Sequence, residues 1–248
     1  LCGTGRRPFR QLIAWGGASR QQSTGRSVFG GALLLLLWAL AGPPATQSQD
    51  NPDFEIAENG VTVLCDEAEV GDTGTVNGTT YTKRTADQIT PANAATTCTS
   101  GITDMTSMFF GAESFNEDIS TWDVSSVTAM RTMFFRATSF DQDIGAWDVS
   151  SVEDMSYMFG RATSFNQDVG DWEVSRVTNM VVLFNKSDLS TTNYDRTLTG
   201  WAGLDLTSDV TLGTGDISYC DSQSARERLI QEYNWTINDG GLAADCSR

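Results

Sequence analysis

The chain has 248 residues, with 32 acidic against 16 basic side chains, a net charge of −16 and no histidine. Such an acidic chain lacks the Lys and Arg surplus whose counterion release drives nucleic-acid affinity, and the missing histidine removes Ser-His-Asp and Cys-His nucleophile systems, HExxH zinc sites and imidazole switches. Forty per cent hydrophobic residues with seven Trp and twelve Phe is too aromatic for a disordered acidic tail, and the length suits one domain with its own core.

Residues 1–49 hold five arginines (Arg6, Arg7, Arg10, Arg20, Arg26) and no acid. The uncharged run from Val28 to Ala41 is fourteen residues long, too short to span a bilayer and suited to a secretory h-region, with Ala39-Leu-Ala41 or Thr46-Gln-Ser48 as cleavage signal. Residues 1–49 are expected to be a signal peptide and leader, with residues 1–27 foreign to the mature protein. The mature chain is then secreted or at the cell surface and keeps no membrane span. Losing Cys2 leaves Cys65, Cys98, Cys220 and Cys246, which in an exported protein read as two disulfides with three possible connectivities. Two lie before the repeats described below and two after them, which favours Cys65–Cys98 and Cys220–Cys246. A four-cysteine metal site would need CxxC pairs, which are absent.

Residues 50–100 read as an N-terminal cap. Val61-Thr-Val-Leu-Cys65 predicts a strand, and Asn77-Gly78 between Thr75-Val76 and Thr79-Thr-Tyr81 predicts a hairpin. Residues 101–206 are periodic. Phe115, Phe140 and Phe165 are 25 apart, as are Trp122, Trp147 and Trp172, and Val124, Val149 and Val174. Met105, Met130, Met155 and Met180 keep the same period, as do Met108, Met133 and Met158, with Leu183 in the fourth place. Trp122 and Val124 alternate as in a strand, while Met130, Met133 and Phe134 at i, i+3, i+4 make a helical face with Ser126 as its N-cap. The spacing parallels a leucine-rich repeat and predicts an α/β, leucine-rich-repeat-like solenoid of 25-residue strand-plus-helix rungs with N- and C-terminal caps. Thr97 to Ile102 is a degenerate first rung. The last unit takes a four-residue insertion after Phe184 and returns at Leu198-Thr-Gly-Trp201. Residues 207–248 form the C-terminal cap, helical over Ala225 to Tyr233 and extended over Trp235-Thr-Ile237.

The run Met-x-x-Met-Phe-x-x-Ala-x-Ser-Phe-Asn-x-Asp-Ile-x-x-Trp-Asp-Val-Ser-Ser-Val resembles the BspA-like leucine-rich-repeat surface proteins, also known as a mycoplasma-type repeat of unknown function. The resemblance covers roughly residues 55–245. It implies an exported or cell-surface protein acting in adhesion or protein binding, and it implies no catalytic residues.

Asp118, Asp143 and Asp168 form one acidic column. With Asn116-x-Asp118 it is expected to bond turn amides, and its second reading is a cation site for Ca²⁺. Adjacent rungs at strand spacing, about 4.8 Å, mimic the carboxylate separation of retaining glycosidases, but identical copies lack the differently tuned pair that catalysis needs. Asp123, Ser125, Asp148, Ser150, Glu173 and Ser175, with Thr121, flank the expected strand and are the candidate ligand-binding face. The repeated Trp and Met sit at core phases. Asn77-Gly-Thr79, Asn185-Lys-Ser187 and Asn234-Trp-Thr236 fit the N-glycosylation pattern. The expected function is non-catalytic binding of an extracellular protein or glycan through the strand face. The alternative is a glycan-binding or carbohydrate-active protein on a parallel β-helix. The segment Val127 to Phe135 separates the two, as helix or as second strand.

Overall fold

The computed structural model describes residues 51–244 and Cys246, so the expected leader over 1–49 lies outside the described residues. Strand β1 (Glu55–Ile56) pairs antiparallel with β2 (Val63–Leu64), inside the stretch where a strand is expected. β3 (Thr73–Val76) and β4 (Thr79–Lys83) form the expected hairpin, with Asn77 at φ 50° and Gly78 at φ 82° turning the chain as a two-residue loop requires. β5 (Thr97–Cys98) adds to β4 in parallel. The ring of Phe54 lies directly on the backbone of Gly74, where a Cβ would be 2.4 Å from it, and with Val63, Cys65, Val76, Tyr81 and Cys98 it builds a small separate core. Cys65 is bonded to Cys98, tying the end of β2 to β5.

The repeats do not form strand-plus-helix rungs, and the α/β solenoid expected from their spacing is not present. From Ser100 to Ser190 the chain runs in turns, without a helix or a paired strand. In the segment expected to be helical, Met133, Phe135 and Ala137 donate their amides three residues back, to the carbonyls of Met130, Thr132 and Phe134 at 3.0–3.2 Å. The alternate amides of Met130, Thr132, Phe134 and Arg136 leave the segment for the carbonyls of Asp154, Ser156, Met158 and Gly160 at 2.9–3.0 Å. A helix would have used those amides internally. Spacing explains the choice: Phe109, Phe134, Phe159 and Phe184 stack with centroids 5.6–5.7 Å apart, whereas neighbouring helices need about 8–10 Å. An i, i+3, i+4 apolar pattern serves overlapping turns as well as a helix, and close coil stacking selects the turns. Val127 to Phe135 is therefore neither the helix nor the second strand that would have separated the two sequence-based readings.

Successive coils are held in register. Asp104, Ala129, Asp154 and Asn179 form a line of single parallel bridges, and the core columns are buried, from Ile119, Trp122 and Val124 through Met130, Met133 and Phe140 to their equivalents, with Met108 of the first coil half-buried. The segment that carries the four-residue insertion forms helix α1 (Thr191–Trp201), started by Ser190, whose hydroxyl accepts from the Asn193 amide. Beyond it the line of bridges continues from Met180 to Leu212 in β6 (Thr211–Gly213), which pairs in parallel with β7 (Thr236–Asn238). Between these strands lies α2 (Gln223–Tyr233), in the place expected for a helix, and Cys220 is bonded to Cys246.

Candidate functional site

The first acidic column is used by its own turns. Oδ1 of Asp118 accepts from the amide and hydroxyl of Ser120 at 2.9 and 2.7 Å, and Asp143 and Asp168 accept from the amides of Gly145 and Gly170, both at 3.0 Å. Asn116, two residues earlier, reaches across instead: its Oδ1 accepts from the Asp141 amide, Asp141 accepts from Asn166, and Asn166 accepts from Ser190, at 2.8–2.9 Å. Among the described residues no three cysteine or carboxylate side chains converge as metal ligands, so Asp118, Asp143 and Asp168 are not assembled into the Ca²⁺ site considered from sequence.

The expected strand face has no strand beneath it. Asp123 is 6% exposed, its carbonyl accepting from the Thr99 hydroxyl at 2.9 Å, and next to it the Val63 amide donates to the Thr121 carbonyl at 2.8 Å. Its carboxylate accepts from the amide and hydroxyl of Ser125. Asp148 and Glu173 are exposed, each accepting the amide two residues on, from Ser150 at 3.0 Å and Ser175 at 3.2 Å, while Thr121, Ser125, Ser150 and Ser175 are half-buried. Only the lower part of that face is open to a ligand.

A different face emerges from the runs of turns. Phe110 is 53% exposed and stacks on Phe135 at 5.3 Å, while Tyr157 meets Phe135 edge-on at 6.3 Å. Phe135 covers Gly160, where a Cβ would come within 2.9 Å of the ring. Next to these rings, Arg136, Arg161 and Lys186 occupy equivalent places in three successive coils, all exposed and all in left-handed backbone at φ 61–62°. Gly111 holds the same place in the preceding coil at φ 69°. The amides of Gly111, Arg136 and Arg161 donate to the carbonyls of Phe135, Gly160 and Asn185, which fixes the column in register. The Arg136 guanidinium sits 5.6 Å over the Phe135 ring. Arg131, Arg136, Arg161 and Lys186 form no ion pair among the described residues. Sequence reasoning missed these residues because they fall between the strict columns. The signal was present as Gly, Arg, Arg, Lys at 25-residue steps.

Where the repeat is interrupted, a polar cleft of about 770 Å³ opens beside Asn185, Lys186, Ser190, Thr214 and Asp216. The C-terminal region has its own buried polar ties. Asp195 of α1 accepts from the amides of Cys220, Asp221 and Ser222 and from the Ser222 hydroxyl, placing a carboxylate at the start of α2. Tyr194 donates to Asp239, which is also paired with Arg226 at 2.8 Å; burial, then the Asp239 charge, raise the Tyr194 hydroxyl well above its ordinary value. At the first coil, hydrogen bonds from the hydroxyl and amide of Thr106 lower the Asp104 carboxyl.

Residues 80–201, from β4 to the end of α1, match a family described as a Mycoplasma protein of unknown function, DUF285. No curated protein and no solved structure matches the chain.

Proposed function

We propose that this chain is a non-catalytic binding or adhesion module that works outside the cell, secreted or held at the cell surface. One observation carries the reading. The aspartates of the acidic columns bond backbone amides of their own turns, whereas the runs of turns leave Phe110, Phe135 and Tyr157 beside cations that form no ion pair among the described residues. Exposed contiguous aromatic surface marks an interaction site, and Arg and aromatic residues are the groups enriched at binding hot spots. The two disulfides support an oxidising compartment. Among the described residues no helix is long and apolar enough to cross a membrane. The non-catalytic part of the reading rests on the acidic columns, whose members hold turn amides in the same way in coil after coil, with no division into acid and base. Within the family matched over residues 80–201, we propose kinship with the BspA-like surface proteins, on the repeated run quoted above.

An array of extracellular proteins and glycans probed with the full chain tests this. Binding is expected to fall at least tenfold in Phe110→Ser combined with Arg136→Asn, and to persist in Asp148→Asn combined with Glu173→Gln. The opposite pattern moves the site to the open part of the acidic face, and an array with no captured ligand rejects the binding reading altogether.

A further inference from the structure

We propose that the cleft at the interruption of the repeat takes up an extended peptide segment of a partner protein, which inserts between two parted coils and bonds main chain to main chain on both walls. The site lies outside the exposed rings of the reading above and does not depend on them.

The pattern of bonds between coils shows where the stack opens. The amides of Arg136 and Arg161 donate to the carbonyls of Gly160 and Asn185 in the next coil, and the Phe184 amide still reaches the Gly213 carbonyl at 3.1 Å. The same offset would carry the Lys186 amide to the Gly215 carbonyl. Among the described residues neither of these two groups makes a hydrogen bond, and the coils part there around the cleft of about 770 Å³. That volume falls within the roughly 300–1,000 Å³ of preformed ligand sites.

Both walls are fixed from behind. The Asn185 carbonyl, just ahead of Lys186, is held by the Arg161 amide, and the Ser190 amide donates to Asn166 in the coil before at 2.8 Å. On the far side the amides of Thr214 and Gly215 donate to the Asn238 carbonyl, and the Gly240 amide donates to the Ile217 carbonyl. Closing the edges on one another would break those bonds, so a ligand meets walls that are already in place.

The groups on offer select a main chain. One wall presents an N–H and the other a C=O, and an extended strand carries acceptors and donors along both of its edges, so it can satisfy the Lys186 amide on one side and the Gly215 carbonyl on the other. Ser187, Gly215, Ala243 and Ala244 are small and leave room for a backbone to come close. Lys186 lines the cleft together with Asp188 and Asp216, so neither sign of charge dominates and a simple ion is not selected. Among the described lining residues no aromatic ring offers a pyranose a face to stack on.

The test pans the full chain, disulfides intact, against a displayed library of random seven-residue peptides and measures the affinity of those retained. Asp188→Trp and, separately, Ala244→Trp fill the cleft from exposed positions that make no hydrogen bond among the described residues. At least one retained peptide is expected to bind at least tenfold more weakly to each, and within twofold of the parent to Glu117→Trp, an exposed carboxylate position outside the cleft. N-methylation of that peptide at its paired residue should also cost at least tenfold, more than Ala replacement of the same side chain, and hydrogen exchange over residues 184–188 should slow in the complex. A library that yields no peptide, or only peptides that bind both Trp variants as well as the parent, overturns the proposal. Indifference to N-methylation at every position overturns it too, because side chains rather than main chain would then hold the ligand. A neutral glycan lost in both Trp variants, with no peptide retained, replaces it with a sugar site.

Discussion

The indole nitrogens show how single residues set the register. Trp147 and Trp172 donate to the carbonyls of Ile119 and Ile144 in the coil before, at 3.1 and 3.0 Å. Trp122 makes the same bond to Ala94, just before the degenerate first coil, Trp201 to Val169 after the insertion, and Trp235 to Thr207 beyond it. The ring fills the core while its one donor fixes which coil lies beneath, so a slipped coil would bury an unpaired N–H. Trp147→Phe keeps most of the apolar body and removes only that tie. The Ile119 carbonyl retains the Trp122 amide, so no buried acceptor is left bare, and the expected cost is about 2 kcal/mol for the lost bond and volume. Urea unfolding should show the lower midpoint with an unchanged slope. A midpoint equal to the parent's would mean that the indole bond does not help hold the register.

Among the elements, α1 makes the most demanding contact with the coils. Gly200 lies so close to Gly170 that a Cβ would sit 2.1 Å from the Gly170 carbonyl oxygen, and a Cβ on Gly170 would sit 2.7 Å from the carbonyl oxygen of Arg196. Exposed helical Gly→Ala usually gains about 1 kcal/mol. Gly200→Ala should instead destabilise by about 2–3 kcal/mol, since backbone meets backbone and neither side can rotate away. A thermal melt with a raised midpoint would show that α1 can lift from the stack without loss. The same element marks where sequence reading stopped: its insertion was visible only as four extra residues, although Ser190 and the later Leu198 and Trp201 are its cap and core positions. The Asn77-Gly78 hairpin, α2 and both disulfides were legible because each depends on local chemistry or simple order along the chain. Strand and helix within the repeats were misread, since alternation and i, i+3, i+4 spacing describe which side chains point inward but not how far apart neighbouring coils lie. On the acidic face the burial of Asp123 was not legible for a related reason, because its neighbours Thr99, and Val63 beside Thr121, come from the cap rather than from the repeat.

At the scale of the whole molecule, backbone bonds between coils of the uninterrupted repeat join residues 24–26 apart and the indole bonds residues 28 apart, so each coil answers mainly to its two neighbours. The charge distribution follows the same logic: acids recur in columns that cap turns, and Arg136, Arg161 and Lys186 recur in a column of their own. Removing one whole period should therefore preserve every partnership in kind. Deleting residues 131–155 joins Met130 to Ser156, sets Asn116 opposite Asn166, and brings the Trp172 indole to the Ile119 carbonyl. The shortened chain is expected to fold cooperatively with both disulfides formed, and its denaturant slope should fall by about an eighth, in proportion to the surface removed. Deleting 24 residues instead, 131–154, shifts every downstream column by one position, turns Phe165 and Trp172 out of phase with Phe115 and Trp122, and should yield no cooperative transition. If both deletions unfold alike, the coils are not interchangeable, and register must be set by the end regions rather than by the bonds between neighbours.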